Sequence, residues 1–406
     1  MSQLNYLEKL LDGVEVEWRE LGEVCRFING RAYKKAELLE KGKYPVLRVG
    51  NFFTNNHWYY SDLELDEDKY CDNGDLLYAW SASFGPRIWQ EGKVIYHYHI
   101  WKVIPNTEII KKKYLFYLLD WDTEALKAEQ STGSTMKHIG KGLIEKRMLP
   151  IPPLKVQAEI VRILDTFTEL TAELTAELTA RQQQYAYYRD ELLTFEEGSV
   201  EWMPLGDISD FTYGYAAKAQ ESGDARFVRI TDINTNGKLY PADHMYIDIS
   251  KESERYLLKK DDLLMARTGA TFGKTMIFEE DYPAIYAGFL IKLSLDPNIV
   301  NPKYYWHFAQ SDLFWDQANK LVSGGGQLQF NANALKQVKL PVPYPSDTAK
   351  SLAEQARIVL ILDKFDAIAS SLSEGLPREI ELRQKQYEYY RDLLLSFPKP
   401  EVVAHD

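Results

Sequence analysis

The sequence has few cysteines, no long hydrophobic run and no excess of positive charge. Its 406 residues include two cysteines, Cys25 and Cys71, which excludes a disulfide framework and a four-cysteine zinc site and suits a reducing cytoplasm. No eighteen consecutive residues are apolar, so no membrane span is expected. The first residues lack a basic segment followed by an apolar one, so no secretory signal is expected. The net charge of −12 disfavours non-specific coating of nucleic acid, although it is compatible with a local basic surface or a basic partner.

Motifs for catalysis and metal binding are also scarce. The segment Gly269–Thr275 resembles a phosphate-binding loop, but it has three residues between its glycines where that loop needs four. The histidines never show the spacing of a helical zinc site, and His97 and His99 are expected to be ordinary sheet residues. No nucleophile and base form a recognisable pair. The sequence therefore predicts a non-catalytic chain without its own cofactor or metal, with an NTPase using Gly269–Thr275 as a minor alternative.

An internal repeat spans the chain. Motifs of the first half recur 184 to 202 positions later, so the halves are duplicated with small insertions. The helical parts match well and the globular parts match poorly, which favours a shared frame carrying two diverged surfaces. The clearest pairs are Leu149–Pro152 with Leu340–Pro343, Gln157–Asp165 with Gln355–Asp363, and Gln184–Phe195 with Gln386–Phe397.

Each half begins with about 140 residues of mixed character and continues into a long helical pattern after a proline-rich stop. The strand-like runs are Tyr44–Val49, Tyr96–Ile104, Phe227–Ile230 and Ile285–Leu295.

Both helical patterns carry one apolar stripe, as an amphipathic helix that needs a partner does. The first runs for about 38 residues without glycine or proline, or roughly 57 Å of helix. The second contains Gly375 and Pro377, which predict a break near Glu374–Pro377. We expect contacts between the helices and with partners from Ile160, Leu164, Leu170, Leu174, Leu178, Tyr188 and Leu192 in the first stripe and from Ile358, Leu362, Tyr390 and Leu394 in the second.

Two details of the helical parts bear on the architecture. The segment Tyr6–Leu11 resembles Tyr188–Leu193, so the repeat is cyclic and is satisfied by antiparallel helices with one globular domain at each end. The segment Thr171–Leu178 is a tandem Thr-Ala-Glu-Leu repeat. Its composition favours a helix in any case, but each quartet is also a spacer of about 6 Å that can be gained or lost.

Loops rich in small residues, with cations and amides beside them, occur at corresponding places in both halves. Small residues let backbone N–H groups approach a phosphate, and arginine, lysine, glutamine and asparagine read base edges. Trp80 aligns with Arg267, and we expect it to pack in the core rather than on a ligand. The candidate DNA-binding residues are Arg31, Lys34, Lys35, Lys137 and His138 in the first half, and Lys218, Arg267, Lys274, Gln327, Gln329 and Asn331 in the second.

Taken together, these motifs resemble the DNA-specificity subunit (HsdS) of type I restriction-modification enzymes over essentially the whole chain. The resemblance rests on the helix starts Gln157–Ile160 and Gln355–Ile358, the Tyr-Tyr-Arg-Asp tails and the Thr-Ala-Glu-Leu quartets, which are typical of the IC branch. It implies an α+β fold in which two mixed α/β target recognition domains are joined by two long antiparallel helices, a coiled coil with a pseudo-two-fold cyclic repeat. The expected boundaries are 1–153 for the first recognition domain, 154–197 for the central helix, 198–345 for the second recognition domain and 346–406 for the C-terminal helix.

The resemblance also implies a function. The chain is expected to bind double-stranded DNA with a bipartite target, one half-site per recognition domain, and to have no catalytic activity. Its expected partners are two modification (HsdM) subunits, which bind S-adenosylmethionine, and restriction (HsdR) subunits, which use ATP and Mg²⁺. The alternative is a helical-hairpin scaffold that binds only proteins, and salt-dependent DNA binding with the partner subunit present separates the two.

Overall fold

The computed structural model describes residues 11, 13, 15–81, 83–129, 138–196, 198–240, 243–324, 328–369 and 375–398. The chain divides into two compact units. The first unit is Met1–Ala172 with Glu381–Asp406, and the second unit is Glu173–Ile380. Within the described ranges, no helix combines the length and apolar character that a membrane span requires.

The first unit contains a four-stranded sheet of order β2-β9-β6-β7, another of order β4-β3-β8-β5 and the pair β1-β10. The pair β3-β8 is parallel, and the other pairs are antiparallel. The strands are β1 (Glu17–Glu20), β2 (Cys25–Asn29), β3 (Tyr44–Leu47), β4 (Tyr59–Ser61), β5 (Tyr70–Cys71), β6 (Leu76–Ala79), β7 (Gly85–Ile88), β8 (Val94–Tyr96), β9 (Ile100–Pro105) and β10 (Met148–Ile151). The helices are α1 (Leu21–Val24), α2 (Val49–Phe53), α3 (Lys112–Glu129), α4 (Lys141–Glu145) and the first part of α5 (Leu154–Leu192), with 3-10 turns at Lys35–Glu37 and Glu67–Lys69.

The second unit repeats this plan with sheets of order β12-β18-β15-β16, β14-β13-β17 and β11-β19. Its parallel pair, β13-β17, corresponds to β3-β8. The strands are β11 (Val200–Pro204), β12 (Ser209–Tyr213), β13 (Ala225–Val228), β14 (Tyr246–Ile247), β15 (Leu263–Ala266), β16 (Thr275–Ile277), β17 (Ala284–Tyr286), β18 (Leu290–Leu295) and β19 (Lys339–Pro343). The helices are α6 (Leu205–Ile208), α7 (Pro302–Phe308), α8 (Asp312–Leu321), α9 (Ala332–Leu335), α10 (Thr348–Ala369) and α11 (Leu376–Leu395), with 3-10 turns at Ile230–Asp232, Glu254–Tyr256 and Gly269–Thr271.

Segments of the long helices belong to the core of each unit. In the first unit Ile160 and Leu164 of α5 and Leu394 of α11 lie in one hydrophobic cluster with residues of the sheet and of α3. In the second unit Ile358 and Leu362 of α10 lie in the equivalent cluster. The boundary between the units therefore falls inside α5 and inside α11, so each unit takes segments from both helical parts of the chain. This confirms the expected α+β class with two domains and long helices.

The 39 residues of α5 form one helix, as the stripe predicts. The helix begins directly after Pro152 and Pro153, because two consecutive prolines favour an extended chain and cannot continue helical hydrogen bonding. In the tandem quartets the leucines are half-buried, and alanine and glutamate are exposed. The quartets thus place one apolar side chain per helical turn on the same face.

The second helical part is divided at Gly375. This glycine lies outside α10 and α11, and its carbonyl oxygen accepts hydrogen bonds from the N–H groups of Arg378 and Glu379. Pro377 lies in the first turn of α11, where a helix does not use the missing N–H. The predicted break is therefore present at Gly375, whereas Glu374 lies outside the described residues. So does nearly all of the predicted N-terminal helix fragment, residues 6–10.

Two strand-like runs of the sequence are each two strands separated by a turn. The run Tyr96–Ile104 is divided by residues 97–99, and the run Ile285–Leu295 by residues 287–289. Both turns close in the same way, since the N–H of Ile100 donates to the carbonyl of His97 at 2.9 Å and that of Leu290 to Ala287 at 2.8 Å. His97 and His99 are therefore turn residues, which corrects the expectation of a single continuous strand.

Candidate nucleic-acid interface

In the first unit, the chain comes very close to the sheet just before the predicted cations. A Cβ atom at Gly30 would clash with the carbonyl oxygen of Tyr96, so the position accepts only glycine. The N–H of Arg31 then donates to this same carbonyl at 3.0 Å. Arg31 and the residues after it are thereby held beside the turn 97–99.

The three cations of this segment differ in what they contact. The two terminal nitrogens of Arg31 donate to both carboxylate oxygens of Glu37, at 3.0 and 2.9 Å, and the guanidinium lies 5.3 Å from the ring of Tyr33. The hydrogen bonds from Arg31 hold the pKa of Glu37 at about 2. Lys34 and Lys35 are exposed. The two lysines are therefore available to phosphates, whereas Arg31 can contact DNA only by leaving Glu37.

Aromatic and imidazole rings gather at the turn 97–99. The indole N–H of Trp80 donates to the carbonyl of Tyr98 at 2.8 Å, and the ring of His99 meets Trp80 edge-on at 4.9 Å. His138 lies 5.7 Å from Trp80 and 6.1 Å from His99, between ring centroids. His97 completes the group at 4.8 Å from His99. This ring cluster brings the predicted residue His138 together with Tyr98, which the sequence did not single out, and with His99, which the sequence analysis treats as an ordinary sheet residue.

Two histidines of the ring cluster, His97 and His99, have lowered pKa values. Burial, with the nearby His99 and Arg48, lowers the pKa of His97 to about 4. Burial and the neighbouring His138 also lower the pKa of His99. Near pH 7 these two imidazoles are therefore neutral and can act as hydrogen-bond donors and acceptors toward base edges.

Trp80 serves both the core and this surface. It is half-buried, and its ring stacks on the fully buried Trp101 with centroids 5.6 Å apart. The expected core packing is thus present on the Trp101 side, while Tyr98, His99 and His138 lie around the rest of the ring.

In the second unit, Arg267 lies between two exposed aromatic rings. Its guanidinium carbon is 5.3 Å from the ring of Tyr213 and 5.5 Å from that of Phe289. Its Nε–H donates to the carbonyl of Gly288 at 3.2 Å. Tyr213 is 44% exposed and Phe289 is 55% exposed. The arginine is therefore fixed at the surface by these contacts, and among the described residues no carboxylate pairs with it.

A second loop is joined to the backbone of Arg267. The N–H of Phe330 donates to the carbonyl of Arg267 at 2.8 Å, and Gln329 pairs with Thr268. The side-chain oxygen of Asn331 accepts from the N–H groups of Asn333 and Ala334 and so caps α9. The oxygen of Asn331 is therefore already used by the fold, whereas no side-chain hydrogen bond of Gln329 is found among the described residues.

The remaining predicted cations of the second unit are less closely grouped. Lys218 is exposed, and Lys274 is half-buried at the base of the Arg267 loop, where its carbonyl accepts from the N–H of Ala266. Lys274 also lines a cavity of about 510 Å³ with Arg189. The segment Gly269–Thr275 makes one 3-10 turn and then enters strand β16, whereas a phosphate-binding loop leads into a helix. The NTPase alternative thus lacks its structural context.

The two surfaces occupy corresponding positions. The N–H of Trp80 donates to the carbonyl of His99 as that of Arg267 does to Phe289, both at 3.1 Å. The bridge between Ser81 and His138 likewise corresponds to that between Thr268 and Gln329. Lys137 and Gln327 lie outside the described residues.

Behind each surface, a buried glutamine joins the globular part to its helix. The side-chain oxygen of Gln157 accepts from the N–H of Lys111 at 2.8 Å, and its amide donates to the carbonyls of Ile109 and Pro152. In the second unit Gln355 accepts from the N–H of Asn301 at 2.8 Å and donates to Ile299 and Ser351. Both glutamines are fully buried, so the repeated Gln-Ala motif is explained by this junction.

A charged group beside each glutamine differs between the units. In the first unit Asp165 accepts from Lys113 at 2.6 Å and from the hydroxyl of Tyr117 at 2.8 Å. In the second unit Asp363 pairs with Lys303 at 3.1 Å and with Nε2 of His307 at 2.8 Å.

The buried His307 is also linked to α5. Its Nδ1 lies 2.8 Å from the hydroxyl of Tyr185, and burial lowers its pKa against the pull of Asp363. Burial by itself would raise the pKa of Asp363, but the hydrogen bonds from His307 and Lys303 outweigh it and lower this pKa.

The predicted helix residues serve mainly within their own units. Tyr188, 37% exposed, stacks on Phe365 at 5.2 Å in the second unit, and Phe167 stacks on Tyr390 at 5.1 Å in the first. Leu192 and Phe365 pack against the second core. The buried members of the stripes are Ile160, Leu164, Ile358, Leu362 and Leu394, and the half-buried ones are Leu170, Leu174, Leu178, Leu192 and Tyr390.

Among the described residues, no group of three or more histidine, cysteine, aspartate or glutamate side chains is arranged to hold a metal ion. The two surfaces offer hydrogen-bonding groups, aromatic rings and local positive charge.

Comparison with known proteins identifies the family. The family described as the type I restriction modification DNA specificity domain matches residues 13–181 and 198–382. The chain is 35% identical to the specificity subunit of the type I restriction enzymes EcoR124I and EcoR124II of Escherichia coli, over 100% of both chains. It is 33% identical to a putative type I restriction enzyme specificity subunit of Haemophilus influenzae, over 97% of this chain and 98% of the relative.

The fold has a counterpart among solved structures. The S subunit of a type I restriction-modification system from M. genitalium superposes with a TM-score of 0.59 at 15% identity, over 96% of this chain and 98% of that one. Since the family match covers most of the chain and the relatives are aligned over their full length, the chain belongs to the family of type I restriction enzyme specificity subunits.

Proposed function

We propose that this chain reads a bipartite double-stranded DNA target, with one half-site recognised by the surface of each unit. The observation that carries the proposal is the pair of corresponding positions, where the same backbone hydrogen bonds present Trp80 and His138 in the first unit but Arg267 and Gln329 in the second. A constant backbone with different side chains is suited to reading two different sequences.

The side chains divide into two roles. In the first unit Lys34 and Lys35 are exposed and contact phosphates, whereas Tyr98, His99 and His138 face bases. In the second unit Lys218 contacts phosphates, and Arg267 and Gln329 face bases.

The chain acts without catalysis of its own. Two modification (HsdM) subunits supply S-adenosylmethionine chemistry and most phosphate contacts, and restriction (HsdR) subunits supply ATP- and Mg²⁺-dependent chemistry, in the cytoplasm. The net charge of −12 supports a division of labour in which partners provide bulk positive charge. Leu360 and Ile368 on α10, which are 61% and 46% exposed, offer apolar surface for such partners.

The long helices set the distance between the half-sites, as an antiparallel coiled coil. One more Thr-Ala-Glu-Leu inserted after Leu178 keeps the leucine stripe nearly in register and lengthens α5 by about 6 Å. It also adds a rotation of about 40°, because four residues exceed a turn of 3.6. DNA advances about 3.4 Å and about 34–36° per base pair, so the rotation matches one base pair, and slight bending absorbs the remaining length.

Methylome sequencing of a host that carries the chain with its modification subunit tests this proposal. We expect the inserted variant to methylate the same two half-sites, one base pair further apart. The Glu173→Gln variant, which changes an exposed position of the same helix without changing its length, should keep the original spacing. Unchanged spacing in the inserted variant would reject the spacer role. A protein scaffold, by contrast, would show no sequence-selective, salt-dependent DNA binding when the modification subunit is present.

A further inference from the structure

We propose that Arg267 recognises a guanine of the second half-site through a bidentate contact to its O6 and N7, and that Tyr213 and Phe289 are positioning residues for this contact. The inference rests on the proposed function and specifies which base is recognised and that it is read from the major groove. Arginine paired with O6 and N7 is the commonest specific contact in the major groove.

The guanidinium is oriented before any ligand arrives. The rings of Tyr213 and Phe289 lie 5.3 and 5.5 Å from its carbon, and its Nε–H donates to Gly288 at 3.2 Å. These contacts use the ring faces and one of the three nitrogens. Within the part of the chain that the structure describes, no hydrogen bond or ion pair of the two terminal nitrogens is found, and these are the atoms that form a bidentate fork.

Other arginines of the molecule show what an occupied fork looks like. Arg31 donates to both oxygens of Glu37, and Arg229 donates to both oxygens of Asp232. Arg267 is half-buried, as Arg31 and Arg229 are. Its guanidinium contacts two aromatic rings, whereas the guanidinium of Arg31 or Arg229 is paired with a carboxylate. Unlike the forks of Arg31 and Arg229, its fork can therefore turn to a base without first breaking an ion pair.

The setting favours a base rather than a phosphate. Flexible, exposed lysines such as Lys218 suit phosphates, since they need only bring a charge near the backbone. A guanidinium held by two rings and by the carbonyl of Gly288 presents a fixed planar edge, which suits a planar partner with two acceptors. The first unit has Trp80 at this position, so the contact belongs to the second half-site only.

The experiment measures base preference in the complex of the chain with its modification subunit. A library that varies each position of both half-sites is methylated, and the products are sequenced. The wild-type complex should require guanine at one position of the second half-site. In Arg267→Ala and Arg267→Lys, this preference should fall by about 5- to 150-fold, the range for loss of a bidentate base contact, with every other position unchanged.

Two further variants separate positioning from simple damage to the fold. Phe289→Leu should weaken the guanine preference by less than Arg267→Ala does, and Phe289→Tyr should restore it because the ring is kept. Arg255 lies over the ring of Tyr256 at 4.7 Å elsewhere in the second unit, so Arg255→Ala is the matched control and should leave all preferences unchanged.

The outcomes distinguish this inference from the function on which it rests. If Arg267→Ala weakens all sequences alike, keeps the guanine preference, or relaxes a position that is not guanine, the guanine contact is overturned while the bipartite function stands. A wild-type complex that selects no bipartite sequence would overturn the proposed function, and the guanine contact with it.

Discussion

Where the first unit has Trp80, the second has Arg267, although the backbone around the two residues makes the same hydrogen bonds. The N–H of Trp80 donates to the carbonyl of His99, and the N–H of Arg267 donates to the carbonyl of Phe289, each the third residue of its turn. The carbonyl of Trp80 accepts from the N–H of Ile139, and the carbonyl of Arg267 accepts from the N–H of Phe330. The side chains have opposite roles, since one ring continues the core through Trp101 and the guanidinium stands between surface rings. A fixed backbone can therefore carry different recognition chemistry without a change in strand order.

The residues that the two units share lie where each globular part meets its helix. Gln157 and Gln355 each accept from one backbone N–H and donate to an isoleucine carbonyl, and the hydroxyls of Tyr114 and Tyr304 donate to the carbonyls of Pro150 and Pro341, at 3.0 and 2.8 Å. The side chains of both glutamines and both tyrosines are fully buried, so loss of either partner leaves an unpaired polar group. The comparison indicates that the repeat keeps the junction and varies the surface.

The largest effect is expected at the shared junction. Gln157→Leu leaves the N–H of Lys111 unpaired, and Gln355→Leu leaves that of Asn301 unpaired. Each substitution also removes the donor to two further acceptors in its unit. We expect each substitution to lower the stability of its own unit by about 3–5 kcal/mol, because each buried unpaired group costs about 1–3 kcal/mol. Hydrogen exchange read separately for the two units is the suitable measurement, since a single unfolding free energy is not defined for a chain of two units.

The exposed Gln183 of α5 gives the matched control, because leucine is compatible with a helix and no buried contact is removed there. Gln183→Leu should leave both units unchanged. If Gln157→Leu and Gln355→Leu both lowered the stability of the same unit, the two junctions would not be equivalent.

How far the sequence could predict these features depends on where they lie. The helix α5, the stop at Pro152 and the break at Gly375 follow from local rules that tertiary contacts do not override. The turns 97–99 and 287–289 were missed because tyrosine, histidine and phenylalanine there continue a strand-like pattern, and only the pairing of β8 and β17 with other strands reveals the turn. The weak signal of a turn was an aromatic residue at the corresponding place of each run, His99 in the first and Phe289 in the second.

The sequence could predict which loops carry the candidate site, but it could not predict the individual contacts within them. Arg267 and His138 were identified from their residue types, yet the sequence could not show that Glu37 occupies the fork of Arg31 or that Asn331 caps α9. Ion pairing and capping depend on geometry within a few ångströms, which spacing along the chain does not determine.

A smaller loss of stability is expected from substitutions at the charged group beside each junction, where the second unit has His307 and the first has Tyr117. His307→Phe removes the partner of the buried Tyr185 hydroxyl and one of the two donors to Asp363, and we expect a loss of about 2–4 kcal/mol in the second unit. Tyr117→Phe removes only one of the two donors to Asp165, and a loss of about 0.5–1.5 kcal/mol is expected in the first unit. Hydrogen exchange of each unit would measure both, and equal losses would show that the histidine adds nothing to the tyrosine arrangement.

The smallest effect concerns pH and His97, for which the second unit has Ala287 at the corresponding bridge. Burial, with His99 and Arg48, lowers the pKa of His97 to about 4 in the folded chain, below the usual histidine pKa of about 6.5. Between these values the unfolded chain binds a proton that the folded chain does not, so the contribution to stability is complete above pH 6.5 and is lost as the pH falls toward 4. From pH 7 to pH 5 we expect a loss of roughly 1 kcal/mol in the first unit, after allowing for solvent screening of this half-buried ring. In His97→Ala the pH dependence of hydrogen exchange in the first unit should shrink by that amount, and an unaltered pH profile in His97→Ala would mean that another group titrates.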